Sequence, residues 1–338
     1  MDIFDWIKVN LKPEVCTSDR FIYDNMDSQS GRSLPIIYQP FDLRDKSHWQ
    51  DRGALFDFLY STRGKGKRLL DFGPGDGWPS LIVAPFVSEV VGVDGSHRRV
   101  DVCTENAARM GLANARFYYA APGSPLPFED DSFDGVMAAS SVEQSPDPRR
   151  TLQELFRVLR PGGRLRMTYE VLNRYRNGQE RDIWLQQTND RQCRLILFDR
   201  TIDREVAVQY GITYDLSEAE FKKIVWEDTA TDTPSVSFSK LTIPLLERTR
   251  RSILDARVCT TVHPSGRTLA SWLSEIGFKK IIPSHSGGWF AAQLFETLAD
   301  RHRPQSLSDL DALLRPVVKV VVELYAPIDM DPMITAIK

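Results

Sequence analysis

The chain has 338 residues, enough for one core fold with sizeable additions. Its 43 Lys and Arg against 46 Asp and Glu give a net charge of −3, a mixed balance that argues against a polyphosphate partner such as nucleic acid. Four scattered cysteines (Cys16, Cys103, Cys193 and Cys259), with no CxxC and no His at ligand spacing, read as reduced thiols of a cytoplasmic protein without a metal site.

The first residues, Met1 to Lys8, mix acids among apolar residues and do not form a signal peptide. Residues 1 to 47 lack periodicity and are punctuated by Pro13, Pro35 and Pro40. His48 to Tyr60 is a helix, because Trp49, Leu55, Phe56 and Leu59 share a face. Leu69 to Phe72 is a buried strand that breaks at Gly73, Gly75 and Gly77. Pro79 suits the first turn of the next helix and Pro85 ends or kinks it. A second strand, Val90 to Val93, ends in a carboxylate at Asp94; Gly92 within it suits close packing. Arg98 to Met110 is a helix with Val100, Cys103, Ala107 and Met110 inward, stopped by Gly111. Strands follow at 117–120, 136–139 and 165–169, with a helix opened by Pro148 before the last.

Beyond residue 170 the strand–helix rhythm breaks. Leu172 to Gln187 looks helical, while Arg194 to Phe198 and Val206 to Tyr214 look like paired strands. Ser217-Glu-Ala-Glu220 is a capping box opening a helix with Phe221, Ile224 and Val225. A helix at 267–276, stopped by Gly277, then resumes the core, followed by a strand at 279–282. Spacing of Phe290, Leu294 and Leu298 favours a helix there, leaving Met333 to Ile337 as the last strand. The apolar run Val317 to Ala326 is short and broken by Lys319 and Glu323, so no membrane span is expected.

A strand, a Gly-rich turn, a helix and a second strand ending in an acid make the nucleotide-binding half of a doubly wound sheet. A dinucleotide fingerprint needs Gly at 78, where this chain has Trp78. A P-loop needs Gly-Lys-Ser/Thr; Gly64-Lys-Gly-Lys67 lacks the hydroxyl and precedes the strand. The pattern Asp71-x-Gly73-x-Gly75-x-Gly77 resembles instead motif I of the class I S-adenosylmethionine (SAM)-dependent methyltransferases. Leu126-Pro-Phe-Glu-Asp-Asp-Ser-Phe-Asp134, Gly135-Val-Met-Ala-Ala-Ser140 and Arg157-Val-Leu-Arg-Pro-Gly-Gly-Arg-Leu165 follow in order. Together they resemble the methyltransferase type 11 group, which includes ubiquinone and menaquinone methylases.

The resemblance covers residues 65 to 170. It implies an α/β fold: a Rossmann-like, doubly wound, seven-stranded sheet, mostly parallel with one antiparallel strand. Residues 1–67 would form an N-terminal cap, 68–170 the SAM-binding core, 171–262 an α/β lid over the substrate, and 263–338 the rest of the core sheet with C-terminal helices. It implies SAM as cofactor and a small-molecule acceptor. Gly73, Pro74, Gly75 and Gly77 would wrap the methionine and ribose portions, Asp71 would face the methionine amino group, and Asp94 the ribose diol. Gly95 and Ser96 would lie beside the adenine, as would backbone near Ala121, with Ala139 and Ser140 at the sulfonium end.

Two departures stand out. The stretch Ala120-Ala-Pro-Gly-Ser124 lacks an adenine-contacting acid, and Val142-Glu-Gln-Ser145 lacks a His. Glu143 and Tyr169 become the candidates for orienting the acceptor or taking its proton, with Glu170, His263 and His285 as further ones. Tyr38, Phe41 and Trp49 suit either closure over the cofactor or packing. Aromatics of the insert (Tyr175, Trp184, Tyr210, Tyr214 and Trp226) suit an apolar or planar acceptor or the insert's own core. Arginines 174, 176, 181, 191 and 194 suit an anionic acceptor or a solvated face. The chemistry the resemblance implies is transfer of a methyl group to an O, N or C atom by in-line displacement. Alternatives are a SAM-binding protein without transfer activity and, disfavoured by Trp78, a nicotinamide-dependent oxidoreductase.

Overall fold

The computed structural model describes residues 2–27, 41–169, 179–201, 204–226, 238–330 and 332–338. The chain runs α1 (Ile3–Leu11), β1 (Glu14–Val15), α2 (Ser18–Asp27), α3 (Lys46–Ser61), β2 (Arg68–Phe72), α4 (Ser80–Val83), β3 (Glu89–Asp94), α5 (His97–Arg109), β4 (Ala115–Tyr119), β5 (Phe133–Ala139), α6 (Pro148–Val158) and β6 (Leu159–Thr168). It continues through β7 (Gln179–Asn189), β8 (Gln192–Thr201), β9 (Val206–Tyr214), α7 (Glu218–Trp226), α8 (Ile243–Thr249), β10 (Ile253–Val262), α9 (Gly266–Ile276), β11 (Lys280–Ser284), α10 (Gly287–Thr297), α11 (Leu307–Val321) and β12 (Met333–Ile337). Two units result: Arg32–Asn173 with Pro264–Lys338, and Met1–Gly31 with Arg174–His263.

The larger unit is built on a seven-stranded sheet ordered β11-β12-β6-β5-β2-β3-β4. β12 runs antiparallel to both its neighbours and the other pairings are parallel. This is the mostly parallel, Rossmann-like sheet expected, with 333–337 as the antiparallel strand and 287–297 helical. Parallel strands are buried on both faces, which explains the near-continuous apolar runs of β2, β3 and β5. Leu152, Leu155, Leu269 and Leu273 pack on one face, and Trp49, Phe56, Phe58 and Leu314 belong to the other large cluster. Trp49 is fully buried and its indole N–H donates to the Leu43 carbonyl, so it is a packing residue. A Cβ on Gly92 would collide with the Phe117 ring, which accounts for a glycine inside β3.

The smaller unit carries a five-stranded sheet, β1-β10-β9-β8-β7, in which β7 to β10 form an antiparallel meander and β1 joins β10 in parallel. Two expectations are corrected here. The helix expected up to Gln187 is strand β7 from Gln179 onward. Burial alternates through it, with Ile183 and Leu185 inward and Trp184 outward at 53% exposure, and the tight return to β8 pairs the two strands. Residues 1–67 do not form one cap: Phe4, Trp6 and Ile7 are buried with Tyr210, Tyr214, Phe221 and Leu246 in the smaller unit's core. The capping box holds, since Glu220 accepts from the Ser217 N–H and hydroxyl while Ser217 Oγ accepts from Glu220 N–H.

Of the insert's candidates, Tyr210 and Tyr214 are core residues. Arg181 is ion-paired to Asp2 at 3.0 Å and to Asp199 at 3.5 Å. Tyr38, Glu170, Arg174, Tyr175 and Arg176, with residues 172–178 and the Trp226 side chain, lie outside the described residues.

Candidate active site

β2 ends where its backbone must reverse, and the three glycines of the turn all take positive φ: +71° at Gly73, +59° at Gly75 and +107° at Gly77. They differ in what surrounds them. A Cβ on Gly73 would lie 2.5 Å from the Ser141 Cβ, and one on Gly77 would collide with Leu81. A Cβ on Gly75 would point into open space. Gly73 and Gly77 thus keep the turn closed against its own protein, and Gly75 keeps its outer side clear.

Two carboxylates frame this turn. Asp94, at the end of β3, accepts the Gly75 N–H at 3.3 Å on one oxygen and the Ser96 N–H at 2.9 Å on the other. It therefore ties the glycine turn to the start of α5. Ser96 is buried and caps that helix by accepting the Arg99 N–H at 3.1 Å, so its side chain is committed to the fold. Asp71 is 0% exposed. Its Oδ2 accepts the Ser80 N–H at 3.0 Å and the Ser80 hydroxyl at 2.6 Å, while its Oδ1 meets no donor among the described residues. Burial, helped by the nearby charge of Asp94, pushes its carboxyl up to about 7. Asp76, next in the turn, is ion-paired with Arg99.

The remaining cofactor candidates fall around this frame. Ala120 N–H donates to the Asp94 carbonyl at 3.0 Å, which sets exposed Ala121 beside the end of β3. Tyr119 and His97 stack there with centroids 3.7 Å apart, a pair the sequence reading passed over. Ala139 ends β5, and Ser140 after it takes a left-handed φ of +52°, uncommon for a residue with a side chain. Its N–H donates to the Thr168 carbonyl, and the two hydroxyls lie 3.0 Å apart. Ser141 Oγ–H donates to the Phe72 carbonyl at 2.5 Å, joining the β5 end to the glycine turn.

A cavity of about 620 Å³ opens at the carboxyl ends of β5 and β6. Trp78 and Ser140 reach it from the glycine turn and β5, Tyr169 follows β6, and His285 and Trp289 belong to the segment from β11 into α10. Tyr169 is buried, and a Cβ on Gly266 would collide with its hydroxyl. Glu143 is buried in the single turn Val142–Gln144 and is not among the residues lining the cavity. His263 belongs to the smaller unit, where burial, with Arg200 nearby, pushes its imidazole down to about 4.

Beneath the cavity lies a charged network the sequence reading missed. Arg166 in β6 donates to Asp57 of α3 through two N–H groups at 2.8 and 2.9 Å. The same guanidinium reaches the hydroxyls of Ser284 and Thr335. The signal was present in the sequence: an arginine between Leu165 and Met167, and a lone acid between Phe56 and Phe58 in an apolar run.

Residues 70–167 match the family described as a methyltransferase domain. An uncharacterised methyltransferase of Bacillus subtilis (strain 168), YcgJ, is 38% identical over 97 residues, 29% of this chain and 38% of that protein. A demethylmenaquinone methyltransferase of Clavibacter sepedonicus is 38% identical over 100 residues, 30% of this chain and 40% of that protein. The solved structure of the CcbJ methyltransferase from Streptomyces caelestis covers 95% of this chain and 96% of its own, at 14% identity and a TM-score of 0.49. This chain spans about two-fifths of the length of those two curated relatives. The stretch that matches a methyltransferase domain, residues 70–167, is the one that holds the glycine turn, Asp94 and the β5 end.

Proposed function

We propose that the protein transfers the methyl group of SAM to an O, N or C atom of a small-molecule acceptor. One observation carries the reading. Asp94 fixes the glycine turn through Gly75 N–H, and a Cβ on Gly75 would meet no atom within 4 Å, so the turn is held while that side of it stays clear. The residues present fit the cofactor chemically. Asp94 gives the turn negative character that suits a cationic ligand, and the Asp71 Oδ1 is a buried polar atom with no partner among the described residues.

In this reading Gly73, Pro74, Gly75 and Gly77 hold the methionine and ribose portions, and Asp94 accepts from the ribose hydroxyls. Gly95, Ser96 and Ala121 border the adenine through their backbone, and Ala139 and Ser140 face the sulfonium end. Bound SAM supplies an activated methyl, so the protein's task is to orient the acceptor and exclude water. Tyr169, which lines the cavity, touches the acceptor in this scheme. Glu143, in the turn after Ser140, is proposed to orient it. The insert is proposed to select among acceptors.

Calorimetry with SAM on wild type, Gly75→Val and Asp94→Ala tests cofactor binding. Loss of charge-assisted hydrogen bonds at Asp94 is expected to weaken binding roughly ten-fold or more. Unchanged affinity in both variants would remove the assignment. Incubation with methyl-labelled SAM and a metabolite extract tests transfer: a labelled small product supports it, and SAM binding without product overturns it.

A further inference from the structure

The walls of the 620 Å³ cavity come mostly from outside residues 70–167, from α3, from the turn between β11 and α10, and from the loop before β12. Their chemistry is specific. Phe58, Trp78, Tyr169, Trp289, Met330 and Met333 present aromatic and thioether surface. Among the described residues no lysine or arginine lines the cavity. The one carboxylate among its described lining residues, Asp57, is bound on both oxygens by Arg166 and also accepts the Gly287 N–H at 2.6 Å. Among these residues an anion finds no counter-ion, and a cation finds a carboxylate already paired.

The mouth carries two large apolar side chains in contact with water, Trp289 at 56% and Met330 at 63% exposure. Apolar side chains exposed together on one concavity, rather than scattered singly, can mark a ligand-binding groove. His285 also lines the cavity and is exposed, its imidazole in no hydrogen bond among the described residues. The turn that presents it is fixed on both sides. Its own carbonyl accepts from Arg166 at 3.2 Å, Gly287 is held by Asp57, and Ser286 Oγ caps α10 by accepting the Trp289 N–H at 3.2 Å.

We propose that this cavity is the acceptor site and takes a neutral, planar, apolar molecule bearing a hydroxyl, with the hydroxyl bonded to His285 and the ring against Trp289. Asp57 and Arg166 act as positioning residues for the turn that carries His285. The substrate class rests on the methyltransferase reading, but the binding geometry does not.

The test uses the full chain, saturated with SAM, and three probes followed by tryptophan fluorescence: 2-naphthol, naphthalene and naphthalene-2-sulfonate. Wild type is expected to bind 2-naphthol about ten-fold more tightly than either of the others, the worth of one good hydrogen bond. His285→Ala should abolish the preference over naphthalene while naphthalene itself binds within two-fold of wild type. Trp289→Ala should weaken all three. Both variants should bind SAM as wild type does and unfold at the same temperature. Equal or tighter binding of the sulfonate, binding of none of the probes, or a naphthol preference that survives His285→Ala overturns the proposal. Failure of wild type to bind SAM, with the naphthol pattern intact, instead overturns the methyltransferase reading.

Discussion

Arg166 and Asp57 face each other through two parallel hydrogen bonds at 2.8 and 2.9 Å, and neither side chain is more than 1% exposed. Such a pair contributes little net stability when intact, because both charges have left water, yet removing one partner strands the other. Arg166→Met is therefore expected to lose about 3–5 kcal/mol in chemical denaturation. Arg166→Met combined with Asp57→Leu should recover most of that loss. A single variant as stable as wild type would show that the pair is not sealed from solvent.

Asp71 sets a pH dependence whose sign can be worked out. Its carboxyl titrates at about 7 in the fold, raised chiefly by burial from the ordinary 3.8. Between those values the folded protein holds a proton that the unfolded chain has released. Asp71's contribution to stability is therefore most favourable at the acid end and falls as pH rises from about 4 to about 7. Asp71→Asn, still able to accept from Ser80, removes this titration. It should gain on the order of 2–4 kcal/mol over wild type at pH 8 and little at pH 4. A gain that shrinks as pH rises would contradict the burial argument.

Gly266 and Tyr169 offer a coupled pair. A methyl on Gly266 meets the Tyr169 hydroxyl, so Gly266→Ala is expected to cost about 1–3 kcal/mol through overpacking. In a Tyr169→Phe background the cost should fall by half or more, measured as a double-mutant cycle in denaturant. Additive effects would mean that the collision is relieved elsewhere, and Ile328, whose carbonyl lies 3.0 Å from the added carbon, is the next candidate.

Once an acceptor is known, Glu143→Gln separates orientation from proton transfer. A positioned acid–base group contributes about 10²-fold or more, so a kcat loss of that size supports a chemical role. A kcat within a few-fold of wild type leaves proximity alone as the mechanism.

The glycine turn, the strand ends and the order of the larger unit's elements were legible because each is written locally. Gly73, Gly75 and Gly77 stand at positive φ, Gly111 and Gly277 stop α5 and α9, and Asp147 caps the helix that Pro148 opens. Strand β7 was misread because residues 172–187 mix Leu, Trp and Gln in a way that suits two periods. Only pairing with β8 selects the alternation of Ile183 and Leu185. The Asp57–Arg166 pair was illegible for a related reason. Its members are 109 residues apart in sequence, and a lone charge in an apolar run announces a partner without naming it. The cavity was equally hidden, since its described walls are drawn from six separate stretches of chain.

The smaller unit opens with α1, yet Trp6 donates its indole N–H to Glu247, 241 residues further along. During synthesis Phe4, Trp6 and Ile7 therefore emerge long before their core exists, and they must wait, exposed, until the segment ending at His263 has left the ribosome. The order of manufacture is thus reversed at this end: much of the larger unit can begin to assemble while the chain's first helix is still without a home. For anyone dissecting the protein, no single cut releases either unit. Shortening the chain at its start would strip the core of a module that begins, by count, at residue 174.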